Sequence, residues 1–476
     1  MEQSGMKRHE PVLFAWGDVF GGGAQALISV IYLIFLTDVI GIPPAVAGAA
    51  ILISKVWDAV TDPIMGVVSD NTRTRFGRRR PYIFGGGIAI LGAFALMWFP
   101  TVGWSAFAKA VYAIATYVLY STVATIISVP YSSLSAEITT DIRERNRVNI
   151  LRLVVSTFAT AICTLVPSYI LEIFNAGSIT LNQFYLIIGL AFGVFFGLPL
   201  VLIGIFTKER VKMPDDKSAF SLKVFVGPLT LKTFRGLVYI YLYQAIAMDI
   251  LGAGIIYYSR YVAKGSSTIF LGIFIGVQLL MFPVINVLVN KVDKKRIYYF
   301  GLPLSILSFA LVGLYPATWN VAGAYFLVGL TALGFAGAQL MSWIIFPDTI
   351  DVAELKTGER LTGSHSGIMT FIRKTSSAVA IQIFSLMLAF SGYIKPPDPA
   401  SFQPQPESAI LGIRIAMSGS FVILMSLGWF FGKNFPLSNN DSTVVRRLLK
   451  RREDPLFEQW SRDEAVEYAD LARRLF

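Results

Sequence analysis

The segment SKVWDAVTDPIMGVVSD, residues 54–70, places three ionisable side chains, Lys55, Asp58 and Asp62, in an otherwise apolar stretch. Their i, i+3, i+7 spacing puts all three on one face of a helix. A charge that faces lipid at mid-membrane costs about 2.5–3.5 kcal/mol. If this segment crosses a membrane, its charged face must therefore meet protein or a water-filled cavity.

The composition is that of an integral membrane protein. Of the 476 residues, 54% are hydrophobic and 15% are charged, and the mean hydropathy is +0.61. Soluble domains carry about 25% charged residues. Apolar runs long enough to cross a hydrocarbon core of ~30 Å recur along the chain. They predict an all-α fold with twelve transmembrane helices, at 12–38, 45–69, 82–101, 105–136, 150–174, 182–206, 235–262, 267–290, 297–316, 320–346, 365–393 and 408–432.

The basic residues predict how the chain is oriented. They cluster in alternate loops, as in NTRTRFGRRR (71–80), DIRERNR (141–147) and NKVDKKR (290–296), and again in the tail. The positive-inside rule then places these loops and both termini in the cytoplasm of a cell in whose membrane the protein lies, an inner membrane in a bacterium. The same loops account for the net charge of +11, so no nucleic-acid partner is predicted.

The helices fall into two sets of six. A hydrophilic loop at 207–234 separates an N-terminal half, 1–206, from a C-terminal half, 235–432, and a polar tail follows at 433–476. A short basic loop follows the second helix of each half. This parallel placement indicates the duplicated architecture of the major facilitator transporters, with a binding site at mid-membrane. The tail is predicted to be helical, either resting on anionic lipid or solvated.

The charged face of the second helix favours a cation site. Lys55 supplies one positive charge and the two aspartates supply two negative charges, so the face lacks one cation. Hard carboxylate oxygens suit Na⁺, and a proton is the alternative. Pro63 also frees the carbonyl of Ala59, a further oxygen ligand. A buried ion-pair network that holds helices together is the competing interpretation, in which Lys55 only fixes a neighbouring carboxylate.

Polar side chains inside other apolar spans are candidates for substrate binding. The intramembrane acid Asp249 is one by default, and Trp343 offers a face for a sugar ring or for core packing. Arg373 and Lys374 point about 100° apart on a helix. A guanidinium in the cavity would grip a carboxylate, which makes a uronide an attractive substrate. Alternatively, one of these cations extends to the membrane surface. The full substrate-binding set is Asp18, Ser128, Ser132, Gln244, Asp249, Trp343 and Arg373.

Several long motifs resemble one transporter family. They are FLTDVIGI (35–42), KVWDAVTDPIMG (55–66), TRTRFGRRRPYI (72–83), VPYSSLSAEITTDIRERNRVNILR (129–152) and PDTIDVAELKTGERLTGSHSGIMTFIRK (347–374). In sequence and spacing they resemble the glycoside–pentoside–hexuronide:cation symporters, which include the melibiose permease and the glucuronide carrier. The resemblance implies a major-facilitator fold and cation-coupled uptake of a sugar or sugar derivative.

The resemblance also implies roles for particular residues. Asp58, Asp62 and Thr125 match the family's Na⁺ or H⁺ site, while Lys55, Arg152 and Lys374 match charged partners of that site. Melibiose-type members hold galactosides through two acids and a tryptophan, whose positions here are Gly22, Ser128 and Ser132. Asp18, in WGDVF, instead resembles the glucuronide-carrier-like members.

Charged residues near the cytoplasmic helix ends predict a gate. Ion pairs at a surface contribute about 0–1 kcal/mol each, which suits contacts that break in every cycle. The gate residues are Asp70, Arg143, Arg147, Asp348, Asp351, Glu354 and Arg360.

The sequence therefore predicts a symporter and not an enzyme, with no cofactor and with Na⁺ or H⁺ as coupling ion. No metal site is expected beyond Na⁺, and the phosphate-binding loop of ATP-driven proteins is missing. The partners are a small molecule and the lipid bilayer, and we expect a monomer although the sequence does not fix the oligomeric state. Two alternatives remain open: a Na⁺-dependent lysolipid carrier, and a membrane assembly or sensor protein that does not transport.

Overall fold

The computed structural model describes residues 6, 7, 9–139, 141–210, 226–289, 291–359, 362–399, 401–452 and 459–476, and every regular element in them is a helix. We number the main helices α1 (Glu10–Tyr32), α2 (Pro44–Asn71), α3 (Arg80–Met97), α4 (Ala106–Glu137), α5 (Ile142–Asn175), α6 (Leu181–Phe206), α7 (Lys232–Ala263), α8 (Ser267–Val289), α9 (Lys294–Leu314), α10 (Ala322–Thr357), α11 (Thr362–Phe390), α12 (Glu407–Lys433), α13 (Asn439–Arg452) and α14 (Arg462–Leu475). A further helical turn, Phe35–Val39, continues α1.

Helices α1–α12 are the predicted membrane helices. Within the described residues, eleven of them are both long and apolar enough to cross a bilayer. The other is α11, which has 29 residues but carries Arg373, Lys374 and several hydroxyl side chains in its middle. The prediction of an all-α membrane protein is confirmed. Some helices are longer than predicted: α10 ends at Thr357, because its charged last turns continue the helix beyond the apolar run.

Close approach of α1 to α5 shapes the first helix. A Cβ added at Gly22 would lie 2.4 Å from the Ser156 hydroxyl oxygen, and one at Gly23 would lie 2.8 Å from the Cys163 sulfur. Both contacts are shorter than atoms tolerate, so these glycines let the two helices touch. The consequence for Gly22 is that α5 already fills the space into which a side chain would project.

The chain divides into two compact units that do not follow chain order. The first falls within Met1–Phe220, Gly252–Leu271 and Ile381–Ile413, and the second within Ser221–Leu251, Gly272–Ala380 and Arg414–Phe476. The first unit thus includes the last turns of α7 and α11, because side chains there bond to the end of α1. The domain boundaries predicted at 206, 234 and 432 divide the helices by their order along the chain. That division stays a prediction.

The tail helices α13 and α14 belong to the second unit and hold each other by ion pairs. Arg474 contacts Asp441 at 2.9 Å and Asp470 at 2.7 Å, and Arg447 contacts Glu467. A capping box starts α14, since Ser461 and Glu464 exchange hydrogen bonds there, and the prediction that the tail is helical holds for α13 and α14. Burial raises the pKa of the Asp441 carboxyl, but hydrogen bonds from Arg474 and Ser438 outweigh it, so the pKa lies below its usual value.

Candidate functional site

The charged face of α2 is buried in the first unit. Lys55 and Asp58 are 6% and 4% exposed, and the Lys55 ammonium lies 3.6 Å from an Asp58 carboxylate oxygen. The same ammonium donates to the Gln25 side-chain oxygen at 3.2 Å. One turn further, half-buried Asp62 accepts a hydrogen bond of 2.7 Å from the Thr125 hydroxyl. Side chains of α1, α2 and α4 therefore meet around these two acids.

This arrangement provides oxygen ligands of the kind that a small hard cation needs. Two carboxylates and the Thr125 hydroxyl lie together, and Pro63 follows Asp62 inside the helix, where it frees a backbone carbonyl one turn earlier. Carboxylates in such a place also bind protons. No cluster of three or more His, Cys, Asp or Glu side chains that suits a metal ion occurs in the described residues. Carboxylate and hydroxyl oxygens are the donors that hard cations prefer.

Asp18 and Arg152, predicted in separate roles, form one ion pair. The Arg152 Nε donates to an Asp18 carboxylate oxygen at 2.6 Å, linking α1 to α5. The Tyr131 hydroxyl donates to the same oxygen at 2.9 Å, and the guanidinium lies over the Tyr131 ring, 4.7 Å from its centre. Tyr131 lies in the 129–152 motif, but the sequence predicted only the neighbouring Ser128 and Ser132 as site residues.

Asp249 and Arg373 form a second ion pair, in the second unit, between α7 and α11. The guanidinium donates two bonds to the carboxylate, at 2.5 and 3.0 Å. The Asp249 side chain is 5% exposed and that of Arg373 is 38% exposed. Trp343, which is 53% exposed, stands edge-on to Tyr241 with 5.6 Å between ring centres. The partly exposed Arg373 side chain and the rings of Trp343 and Tyr241 therefore lie in the same unit.

The remaining substrate candidates have mixed surroundings. Gln244 is buried and accepts a hydrogen bond of 2.9 Å from Ser342, so it bridges α7 and α10. Ser128 is half-buried and Ser132 is exposed on α4, while Lys374 is half-buried on α11. The bond between α7 and α10 explains a buried polar side chain at Gln244, and so would a role in substrate binding.

The gate candidates of the first unit lie in a network at the side of the basic loops. Asp70 pairs with Arg79, which also contacts Glu137 at 3.1 Å. Glu137 takes a second arginine, Arg78, at 2.5 Å. The Glu209 carboxylate accepts backbone N–H bonds at the start of α3, from residues 78, 79 and 80. Arg147 is exposed, and the Arg143 side chain lies outside the described residues.

The gate candidates of the second unit contact the tail. Asp348, 3% exposed, accepts from Lys294 at 2.5 Å and from Arg446 of α13 at 2.5 Å. Arg446 also approaches Asp351 at 3.5 Å. Glu354 is half-buried, and Arg360 lies outside the described residues. The contacts of Arg446 with Asp348 and Asp351 were not predicted, because Arg446 lies in the basic cluster of the tail, which was predicted to rest on lipid or to be solvated.

The fold and these intramembrane charges define a secondary transporter of the major facilitator type. Its fold matches that of a bacterial homologue of the human lysosomal transporter Spinster, with a TM-score of 0.66 at 13% identity over 90% of this chain and 98% of that one. The family described as MFS/sugar transport protein matches residues 13–439, and the chain belongs to it, within the glycoside–pentoside–hexuronide:cation symporters. It is therefore a membrane transporter and not an enzyme.

Two relatives illustrate the range of this family. The chain is 26% identical to a glucuronide carrier protein homologue of Escherichia coli, over 88% of this chain and 91% of the relative. It is 25% identical to the sodium-dependent lysophosphatidylcholine symporter 1 of Xenopus tropicalis, over 92% of this chain and 88% of the relative. Because the two identities are so similar, membership of the family does not fix the substrate of this chain.

Proposed function

We propose that the protein couples the entry of Na⁺ or H⁺ to the uptake of a sugar or sugar derivative, by alternating access. The observation that carries the proposal is the buried α2 face, where Asp58 and Asp62 lie within reach of Lys55 and Thr125. A cation or proton bound there reduces the negative charge of the two carboxylates. Coupling follows if the occupied site favours the substrate-loaded state, because linkage makes each ligand strengthen the binding of the other.

Asp249, Arg373 and Trp343 support a sugar acid as the substrate. The Arg373 side chain is 38% exposed, and the N–H groups that its two bonds to Asp249 leave over can bind a substrate carboxylate. Trp343, which is 53% exposed, offers an apolar ring face. Gly22 argues against melibiose-type galactoside binding, because α5 occupies the space that the matching aspartate would need. Among glycosides, pentosides and uronides, we therefore favour a uronide.

The alternating basic loops support cytoplasmic termini. With that orientation, Asp58 and Asp62 lie roughly 16 and 10 Å from the cytoplasmic end of α2 by helix rise. An ion that reaches them from the other side must cross about half to two thirds of a hydrocarbon core of ~30 Å.

Uptake into proteoliposomes tests the proposal. Labelled glucuronide, xyloside and galactoside are offered under an inward Na⁺ gradient, an inward pH gradient, or neither. We expect gradient-driven uptake of the glucuronide that Asp62→Asn reduces at least about 100-fold. Asp463→Asn, an exposed tail carboxylate, serves as the control and retains full uptake. Gradient-driven uptake that survives Asp62→Asn would contradict the proposed coupling site.

A lysolipid is the second candidate, favoured by the match to the lysophosphatidylcholine symporter. Competition separates the two: lysophosphatidylcholine below its micellar concentration should block glucuronide uptake only if it binds the same site. If no member of either class is carried under any gradient, both proposed substrate classes are wrong.

A further inference from the structure

Asp38, at the end of α1 opposite the basic loops, is a buried acid that the transport proposal does not use. It is 2% exposed. Around it, side chains from the ends of α1 and α7 and from the segment after α11 form what we call the outer knot: Thr37, Asp38, Tyr257, Arg260, Tyr261 and Tyr393. All belong to the first unit. By helix alternation, this end faces away from the cytoplasm in the proposed orientation.

Four side chains bind the Asp38 carboxylate. Tyr261 and Tyr393 each donate a hydroxyl at 2.6 Å, one to each oxygen. Thr37 donates at 2.8 Å, and Arg260 contacts the carboxylate at 3.2 Å. The carboxylate is therefore satisfied on both oxygens and its charge is balanced, which makes the knot a closed arrangement without an open ligand position.

The outer knot fastens three segments that are far apart in the chain. The Thr37 hydroxyl bonds to Tyr257 across 220 residues, at 2.7 Å. Arg260 also donates to the backbone carbonyl of Ser401 at 2.7 Å, which holds the loop between α11 and α12. Aromatic packing joins the same parts, since the Tyr257 and Tyr261 rings both lie 5.7 Å from that of Tyr393.

Glu172 makes a similar joint at the same membrane face. This α5 carboxylate accepts bonds from Ser267 at 2.7 Å and from the Thr268 backbone N–H at 2.8 Å, at the start of α8. Like Asp38, it is an acid of the first six helices bound to donors of the last six. Two such joints at one face restrain the helix ends whose separation would admit a solute.

We propose that the outer knot is the outer gate of the carrier: it bars the solute from entering at this face and must come apart before each loading step. The proposal rests on the transport function proposed above. The knot suits a gate because its contacts are polar and can exchange their partners for water when they open. Packed interfaces have discrete arrangements and do not deform continuously, so the knot is either closed or open.

Spin-label distances test the gate directly. In a full-length Cys163→Ser background, nitroxides are placed at Val46→Cys and Ile394→Cys, which are 36% and 47% exposed in the first unit. Double electron–electron resonance then reports the separation of the first turn of α2 from the segment after α11. We expect Asp38→Asn to raise the population with the longer distance about three- to tenfold, as loss of charge-assisted hydrogen bonds predicts.

Two further variants keep the test decisive. Tyr393→Phe removes one hydroxyl and should shift the distribution in the same direction by less, and it decides the outcome if Asp38→Asn does not fold. Lys109→Gln is the matched control, because its ammonium bonds to the Ile40 carbonyl at the same face but joins only α4 to α1. An unchanged distance distribution in both knot variants would overturn the proposal. The measurement needs neither solute nor gradient, so it is independent of whether the transport experiment succeeds.

Discussion

The two intramembrane ion pairs, Asp18–Arg152 and Asp249–Arg373, are alike in design but differ in surroundings. Each joins the first and fifth helix of a six-helix set, α1 to α5 and α7 to α11. Asp18 has a second donor in Tyr131, and the Arg152 side chain is only 19% exposed, under that ring. Arg373 is twice as exposed, at 38%. We infer that the first pair fastens helices, whereas the second presents a guanidinium.

Replacing Arg373 should give the largest effect if the second pair binds the substrate. Arg373→Gln removes the carboxylate grip and leaves buried Asp249 uncompensated, so we expect glucuronide uptake to fall at least about 100-fold, whereas a neutral glycoside that is carried at all should lose much less. Arg373→Lys, which keeps the charge but loses the fork, should fall between the two. If uptake of charged and neutral substrates fell equally in Arg373→Gln, the Asp249–Arg373 pair would not bind the substrate carboxylate, and the proposed difference from the Asp18–Arg152 pair would be wrong.

Breaking the first pair should lower stability instead. Arg152→Gln leaves Asp18, whose side chain is only 13% exposed, without its charged partner, and we expect the free energy of unfolding in detergent to fall by about 3 kcal/mol. The ratio of glucuronide to glycoside uptake should stay constant in the surviving protein. Adding Asp18→Asn removes the stranded charge and should recover at least half of the lost stability. A shifted substrate ratio in Arg152→Gln would show that both pairs face the substrate.

Tyr131→Phe probes why the first pair is held more firmly. The variant keeps the ring under the guanidinium and loses the hydroxyl, which lies 2.9 Å from an Asp18 carboxylate oxygen and 2.7 Å from the Phe14 backbone carbonyl. We expect a loss of about 1–1.5 kcal/mol in the same unfolding measurement, because one hydrogen bond to a charged group is removed. Tyr241→Phe is the matched change beside the second pair and should cost less. A larger loss for Tyr241→Phe would reverse the assignment of the more firmly held pair.

The weakest effect is expected for Arg474–Asp441, a third pair that lies outside the membrane in the tail. Since the pKa of folded Asp441 is below its ordinary value, its stabilisation is complete above the ordinary carboxyl pKa and is lost as the pH falls through the lower, folded value. Acidification from neutral pH to below about pH 4 should therefore lower the protection of α13 against hydrogen exchange, once the pH dependence of intrinsic amide exchange is corrected for. Asp441→Asn should lose less protection over the same pH change, and an equal loss in that variant would exclude this carboxyl as the cause.

The sequence predicted what depends on neighbours along the chain. Apolar runs gave the twelve helices, and the spacing of Lys55, Asp58 and Asp62 gave their common face, because both are properties of a single helix. The pairing of Asp18 with Arg152 spans 134 residues and could not be read from spacing. Likewise, Asp38 lies inside a predicted span, yet its partners come from α7 and the segment after α11, so only the tertiary contacts disclose the knot.

The tight contact at Gly22 bears on how specificity can change in this family. An aspartate introduced there alone would collide with Ser156, so a single codon change toward galactoside binding should yield a misassembled protein before it yields a new activity. Ser156→Gly would not be enough to admit the aspartate, because the Ser156 backbone carbonyl would still lie 2.9 Å and the Thr160 hydroxyl 3.0 Å from the new Cβ. A change toward galactoside binding at this position therefore requires α1 and α5 to move apart, which depends on several residues along both helices and not on one.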